Sequence, residues 1–374
     1  MSNKCVFYLP YELDEKAGGA RMLRPRKMIQ AFRDIGWDVF AITGFSHKRR
    51  ELIKEFKAQV KAGAKYSFMY SESSTMPMLL TDPHHYPLHP FMDYGFFKYL
   101  RSIGVKLGLF LCDIYWKFNT YGRVLPFWKK FAAMQLYEYD IRQYSRLLDK
   151  FYLPSLRMLE HLTPPSRLRQ IASELPPGCE NLIVPARDYE GRDFRKDPLK
   201  IFYVGGIGAH YQFLELAKAV SMTDNCELTI CCRDFEWEKV KDDFAPFMCG
   251  RIHVVHKTAG ELEPFYSEAD ICSLIFDMIQ LCIFARPVKS FEYLSHEIPV
   301  LCIKGQAAAD FAEETGTGWS MDYSAEEISR TLKHIMSHPE ELVHKRRNCR
   351  EAKAKSLWTS RAEQVVSDLT NFSR

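Results

Sequence analysis

The sequence predicts an α/β protein built from two Rossmann-like domains, each an open parallel sheet flanked by helices. Three observations point there. Short apolar runs alternate with segments of helical periodicity, the pattern of parallel α/β units. The pattern lapses once, at "ELPPGCENLIVPARDYEGRDFRKDP", where prolines, glycines and charges gather as in an interdomain linker, and then restarts. At 374 residues, with 47% hydrophobic content, the chain is long enough to fill two such cores.

In the first half the expected strands are "CVFYLP", "WDVFAIT", "KYSFMY", "MPMLL", "KLGLFLC" and "KFYLP". The helices between them include Arg21–Ile35, with "MIQAF" on its apolar face, and Phe131–Leu148. After the linker come "LKIFYVGGIG", a helix, "CELTICC", a helix, "RIHVVH", "ELEPFYSEADICSLI", a stretch that ends in the short apolar strand "PVLCI", and "GWSMD". The stretch "FARPVKSFEYLSHEIPVL" reads as a helix start, a helix and a buried strand. Pro287 suits a first helical turn, where its missing N–H costs nothing, and Phe291 and Leu294 share one face. Arg286, Lys289 and Glu292 also recur every three residues, so two cations and a carboxylate are expected to project together at an exposed end. The tail from Ser324 to Arg374 reads as helical and highly charged, interrupted at Trp358. The expected division is 1–190, 191–352, and a helix over 353–374 that returns to the first domain.

Charged residues make up 26% and the net charge is +4, which excludes a polycation built for nucleic acid. The charge is uneven: Lys98–Arg169 holds 13 Lys/Arg against 5 Asp/Glu, a local +8 that leaves −4 elsewhere. Eleven cysteines without a CxxC pair argue against a zinc ribbon or a thioredoxin-type centre; spread through strands, they read as reduced thiols of a cytosolic protein. The N-terminus reads as a strand rather than a signal peptide. No apolar run reaches spanning length, since "VKLGLFLCD" is broken by Lys106 and Asp113.

Two glycine clusters each follow the first strand of a half: Gly18 and Gly19 in "KAGGARMLRP", and Gly205, Gly206 and Gly208 in "YVGGIGAHYQF". Each is either a tight strand-to-helix turn or a place where a phosphate approaches the backbone and a helix start. A dinucleotide is disfavoured. Tyr211 occupies the third glycine position of the fingerprint, and Asp224 and Glu227 fall in or beside a turn instead of holding a ribose. On the other side, "LTDPHHYPLHP" carries His84, His85 and His89 in a proline-rich loop. Pro87 intervenes and the spacing is not HExxH, so a zinc site is not expected; the loop is either plain surface or an acceptor contact. Asp113 follows the "KLGLFLC" strand, and a carboxylate at that edge faces the ligand crevice or caps the backbone.

Taken in order, "GGARMLRPRKMIQAFRDIGWDVFAITG", "LPPGC", "LKIFYVGGIG", "YSEADI", "ARPVKSFEYLSHEIPVL" and "GTGW" resemble the GT-B glycosyltransferases of family 4, of the bacterial surface-polysaccharide type. The resemblance covers most of the chain. It implies two Rossmann-like domains facing each other across a cleft, the first for the acceptor and the second for a nucleotide-sugar, and transfer of a hexosyl group to a glycan or lipid-linked glycan. Retention without a divalent metal or other cofactor is implied as well, the leaving phosphate assisting the incoming hydroxyl. Non-catalytic binding of a nucleotide or glycan by an assembly partner is the alternative.

The resemblance also implies roles. Glu292 accepts from the ribose hydroxyls. Lys289 and Arg286 neutralise the diphosphate as the glycosidic bond breaks, and Gly18, Gly19 and Gly206 let it approach. The Arg and Lys usual after the first strand of the second domain are missing, with His210 and Arg233 as replacements. A glutamate usually found eight residues ahead of the ribose carboxylate is Phe284 here. Asp113, beside Cys112, is the catalytic candidate near the reacting hydroxyl, with His84 and His85 on the acceptor side. A cytoplasmic location is expected, with peripheral binding to anionic membrane through the basic, aromatic Lys98–Arg169 stretch, around Trp128, Lys129 and Lys130.

Overall fold

The computed structural model describes residues 3–14, 20–118, 121–122, 125–187, 189, 191–208, 213–277 and 283–371. Gly18, Gly19, His210 and Tyr211 lie outside them. Two compact units are present, Met1–Gly178 with Trp358–Arg374, and Cys179–Leu357.

The first unit holds a six-stranded sheet of β1 (Lys4–Leu9), β2 (Asp38–Thr43), β3 (Phe68–Glu72), β4 (Lys106–Phe110), β5 (Lys150–Leu153) and β6 (Ala172–Glu174), in the order β2-β1-β3-β4-β5-β6. All pairings are parallel. Runs such as "CVFYL" are apolar at every position because helices cover both faces. The expected "MPMLL" strand is instead a 3-10 turn, Met78–Leu80. Pro77 precedes it, and the Met78 N–H donates to the buried Asp140 carboxylate (2.8 Å) rather than to a strand. Helix Phe127–Leu147 starts four residues earlier than expected, just after Pro126. Trp358 does not interrupt the tail but opens its last helix, Trp358–Thr370, whose Val365 and Leu369 join Phe7, Tyr70 and Tyr152 in the first core. That packing needs Gly108: a Cβ there would lie 2.9 Å from Leu369 Cδ1 and 3.0 Å from the Tyr152 ring.

Helix Ala20–Asp34 contains Pro25, which has no N–H to give the Arg21 carbonyl. The Tyr11 hydroxyl donates to that carbonyl instead (3.2 Å), tying the segment after β1 to the helix start. Met28, Ala31 and Phe32 fill the inward face.

The second unit repeats the plan with β7 (Leu199–Val204), β8 (Cys226–Cys231), β9 (Ile252–Val255), β10 (Ile271–Leu274), β11 (Val300–Ile303) and β12 (Gly318–Met321), ordered β12-β11-β10-β7-β8-β9 and parallel throughout. This is the doubly wound Rossmann order. Helix Ala325–Ser337 starts on a Ser324 cap that accepts from the Glu327 N–H (3.2 Å), with Glu326 and Glu327 favoured by the helix dipole. The linker begins inside this unit: Cys179 bridges Leu357, the Glu180 N–H donates to Ser295 Oγ (2.9 Å), and Lys353 donates to the Leu182 carbonyl (2.8 Å). Those bonds, made ahead of the polar stretch itself, explain a boundary at 178/179 instead of 190.

Candidate functional site

Open parallel sheets bind ligands outside the carboxyl ends of their strands, where the strand order reverses. In the second sheet that point lies between β7 and β10. β7 ends at Val204 and the chain turns at Gly205, whose φ of +144° suits only glycine. The turn is braced twice. The Tyr203 hydroxyl donates to the Gly206 carbonyl, and the Val204 N–H donates to the Tyr293 hydroxyl (3.2 Å).

Tyr293 belongs to helix Val288–Ser295, which Pro287 caps with its fixed φ of −66°. From the first turn of this helix Lys289 donates to the Tyr203 hydroxyl (2.9 Å), with its ammonium 4.5 Å from the Tyr203 ring centre and 5.2 Å from that of Phe276. It lies directly against the glycine turn: a Cβ added to Gly205 would collide with its Nζ and Cε. Glu292 follows one turn later. The sequence placed it on an exposed face; it is half-buried. Burial raises its pKa, while the neighbouring Tyr266 hydroxyl and Lys289 pull the other way. His296 stacks on Tyr266 at 4.0 Å, and burial lowers its pKa.

Arg286 departs from the expected alignment. The helix begins after it, so it does not share the face of Lys289 and Glu292, and its guanidinium lies 5.7 Å from the Phe311 ring centre. Arg233, past the end of β8, is exposed and paired with Glu236 in its own turn (2.5 Å). Phe284 is buried, so an apolar ring stands where the resemblance places a glutamate.

In the first sheet the order reverses between β1 and β3. Three strand ends converge there. After β3, the Ser73 hydroxyl accepts the Cys112 N–H (3.1 Å), and the Cys112 thiol donates to Asp113 Oδ2 (3.4 Å). Asp113 is 9% exposed, and among the described residues its other hydrogen bond comes from the Tyr115 N–H at 3.4 Å. Burial pushes it up to about 7, against the pull of Tyr115, Cys112 and Arg21. Arg21, at the helix start, donates to Ser74 Oγ (3.4 Å) and lies 4.4 Å over the Tyr11 ring. Tyr11, Glu12, Asp14, Arg21 and Phe45 line an open pocket of about 510 Å³.

Beneath them Arg24 and Glu72, both buried, are 3.3 Å apart, and the Tyr70 hydroxyl donates to Glu72 (2.9 Å). Burial raises the Glu72 pKa against the pull of Arg24 and Tyr70. The sequence reading missed Tyr11, Arg21, Arg24 and Glu72; the available signal was that Tyr11 follows β1, Arg21 and Arg24 stand in the first turns of the next helix, and Glu72 ends β3.

His84 and His85 stay on the surface of their loop. The His84 imidazole is 3.7 Å from Asp82, and His85, at φ +55°, donates from Nδ1 to the Leu80 carbonyl if that nitrogen carries the proton (2.9 Å). Among the described residues no three His, Cys, Asp or Glu side chains converge as metal ligands.

No family model and no curated protein matches the sequence. Solved structures do match. Sucrose-phosphate synthase from Thermosynechococcus elongatus superposes with a TM-score of 0.62 at 15% identity, over 97% of each chain. HepE from Anabaena, solved in complex with UDP and glucose, gives 0.62 at 10% identity over 98% of this chain and 99% of its own. WaaG, a glycosyltransferase involved in lipopolysaccharide biosynthesis, gives 0.54 at 13% identity over 98% and 99%. The chain therefore has the two-domain GT-B fold of these structures.

Proposed function

We propose that the protein is a glycosyltransferase that uses a nucleotide-sugar donor and extends a glycan or lipid-linked glycan in the cytoplasm. The observation that carries this reading is the Lys289 ammonium held over the Gly205 turn at the reversal point of the second sheet, with Glu292 one turn along the same helix. A fixed cation beside a glycine backbone suits the second phosphate of a nucleoside diphosphate, whose charge grows as the sugar leaves. A half-buried carboxylate nearby suits vicinal ribose hydroxyls. The fold is that of HepE, which was also solved in complex with UDP-glucose.

In the first unit, the pocket beside Arg21 is the proposed acceptor site, with Asp113 as the group that handles the acceptor hydroxyl's proton. A carboxyl poised near neutrality can take and return a proton at physiological pH. Retention without a metal is the mechanism proposed: the leaving phosphate, its charge offset by Lys289, accepts a hydrogen bond from the incoming hydroxyl and steers it to the same face, while Asp113 takes the proton as the new bond forms.

A panel of UDP-, GDP-, CMP- and dTDP-sugars tests the reading by thermal shift and by donor hydrolysis. A ligand that binds only the folded state raises the melting temperature. One nucleotide class should stabilise the protein and be hydrolysed slowly, with or without EDTA. Absence of any shift across the panel would overturn the proposal. The buried Phe284 favours a second reading, a non-catalytic nucleotide- or glycan-binding partner; stabilisation without any turnover would select it.

A further inference from the structure

We propose that Ser73 and Cys112 are positioning residues for Asp113, a hydrogen-bond chain that fixes one carboxylate oxygen and leaves the other to meet the acceptor hydroxyl. The inference rests on the reading of Asp113 as the group that takes the acceptor's proton, and it adds what holds that carboxylate in place.

The chain has a direction. Ser73 is buried just after β3, and its N–H donates to the Phe110 carbonyl at the end of β4 (2.9 Å), so the sheet itself sets its place. Its Oγ accepts the Cys112 N–H (3.1 Å) and donates to the Cys112 sulfur (3.3 Å). One hydroxyl thus grips the cysteine at two atoms. With the serine hydrogen directed at sulfur, the thiol hydrogen turns to Asp113 Oδ2 (3.4 Å). The thiol stays a thiol: burial, reinforced by the Asp113 charge, holds its pKa well above the ordinary value. Toward a carboxylate a thiol that keeps its hydrogen can only donate, so it favours the charged form and does not compete for the acceptor's proton.

The second oxygen, Oδ1, has among the described residues only the Tyr115 N–H, at 3.4 Å. A bond that long leaves an oxygen with two lone pairs ready for a hydroxyl. Ser74, the next residue along, accepts from Arg21 (3.4 Å), so the two serines after β3 orient the carboxylate and the nearby cation together.

The other ionisable groups facing Asp113 come from two helices. Arg21, from helix Ala20–Asp34, favours the carboxylate. Tyr137, from helix Phe127–Leu147, is kept neutral by burial and donates to the Thr75 carbonyl (2.7 Å). Behind Cys112 stand Tyr11, Tyr144, Glu72 and Arg24, the last two paired with each other at 3.3 Å. Of all these side chains, only the Cys112 thiol is hydrogen-bonded to Asp113. Its removal therefore changes the carboxylate's surroundings without removing a charge.

NMR titration of the full chain with isotope-labelled aspartate tests the chain without any substrate, the Asp113 signal being assigned by its loss in Asp113→Asn. Cys112→Ala, which removes the donor, should move the Asp113 titration to higher pH by about 0.5–1 pH unit, the worth of one hydrogen bond. Ser73→Ala, which frees the thiol to turn away, should move it the same way by less. Cys112→Ser, which restores a donor, should return it to the parent's position or below. With the nucleotide-sugar that the donor panel identifies, the rising limb of the pH–rate profile should follow the same order. In Cys112→Ala, kcat at neutral pH should fall about two- to fivefold, as the fraction of carboxylate falls, with the donor's KM unchanged. An unshifted titration in folded Cys112→Ala, or a shift as large in Cys112→Ser, would overturn the proposal. Should Cys112→Ala fail to fold, Ser73→Ala decides: no shift there would overturn it equally. A titration that shifts beside an unmoved pH–rate limb would uphold the chain and overturn the reading of Asp113 as the proton acceptor, whereas an unshifted titration leaves that reading standing.

Discussion

The Lys289 ammonium and the Tyr203 hydroxyl are 2.9 Å apart, and that bond joins a helix start to the glycine turn after β7. Tyr203 donates in turn to the Gly206 carbonyl, so one hydroxyl sets both the cation and the backbone it overlies. Its ring is held independently, packed 4.4 Å from Phe213 and 5.9 Å from Phe276 between centres. Tyr203→Phe should therefore fold normally and lose roughly 0.5–1.5 kcal/mol of donor interaction, about two- to tenfold in kcat/KM. Titration of nucleoside mono- and diphosphates should show the loss concentrated on the diphosphate. Equal losses would mean that the lysine does not read the second phosphate.

Gly205→Ala probes the same contact from the backbone side. The left-handed φ of +144° should cost roughly 1–2 kcal/mol of stability. The new methyl meets the flexible end of Lys289, so the lysine moves rather than the fold. Donor affinity should fall about as far as in Lys289→Ala, and the double variant should bind no worse than either single one. Additive losses, measured by calorimetry, would separate the glycine from the lysine.

Glu292→Gln should keep the fold and weaken nucleotide-sugar binding by roughly 1.5–3 kcal/mol, as for one charged hydrogen bond. Because burial raises the Glu292 pKa, protonation begins at a higher pH than for an ordinary carboxylate. Donor affinity of the parent protein should thus decline on mild acidification, and the Gln variant should lack that decline. Unchanged affinity in the folded variant would remove Glu292 from the site.

These residues differ in how readable they were. Lys289 and Glu292 stand on an amphipathic helix beside a buried strand, so charge spacing and motif order marked them. Arg286 carried the same spacing, but Pro287 starts the helix after it, and three-residue intervals mean nothing outside a helix. β1, β7 and β10 were legible because strands covered on both faces are apolar throughout. β6, only "ASE" and half-buried at the sheet edge, has no such signal; its register with β5 defines it. Met78–Leu80 is apolar like a strand, yet its first N–H is satisfied by a carboxylate 62 residues away. Arg24 and Glu72 were missed for a related reason: periodicity assigns charges to solvent, and only the folded sheet makes them a buried pair.

Asp113 offers the sharpest test, because catalysis and stability move oppositely there. Its folded pKa, pushed up to about 7, lies above the ordinary value of an unfolded aspartate near 3.8. The folded state therefore holds the proton more tightly, and the side chain's contribution to stability is fully present below the unfolded value. It is lost as pH rises through the interval to about 7, where a charge must be kept buried. Asp113→Asn removes that burden. The variant should be more stable than the parent at pH 8, by roughly 1–3 kcal/mol, with the gap closing at acidic pH. Turnover should fall about 10²–10⁴-fold, since an amide cannot accept the acceptor's proton. The parent's rate should rise with pH through about 7 as the carboxylate forms. Denaturant titrations at the two pH values, run beside a pH–rate profile, separate the roles. Gained stability with activity intact would make Asp113 a backbone cap, and lost stability at both pH values would show its charge to be satisfied in the fold.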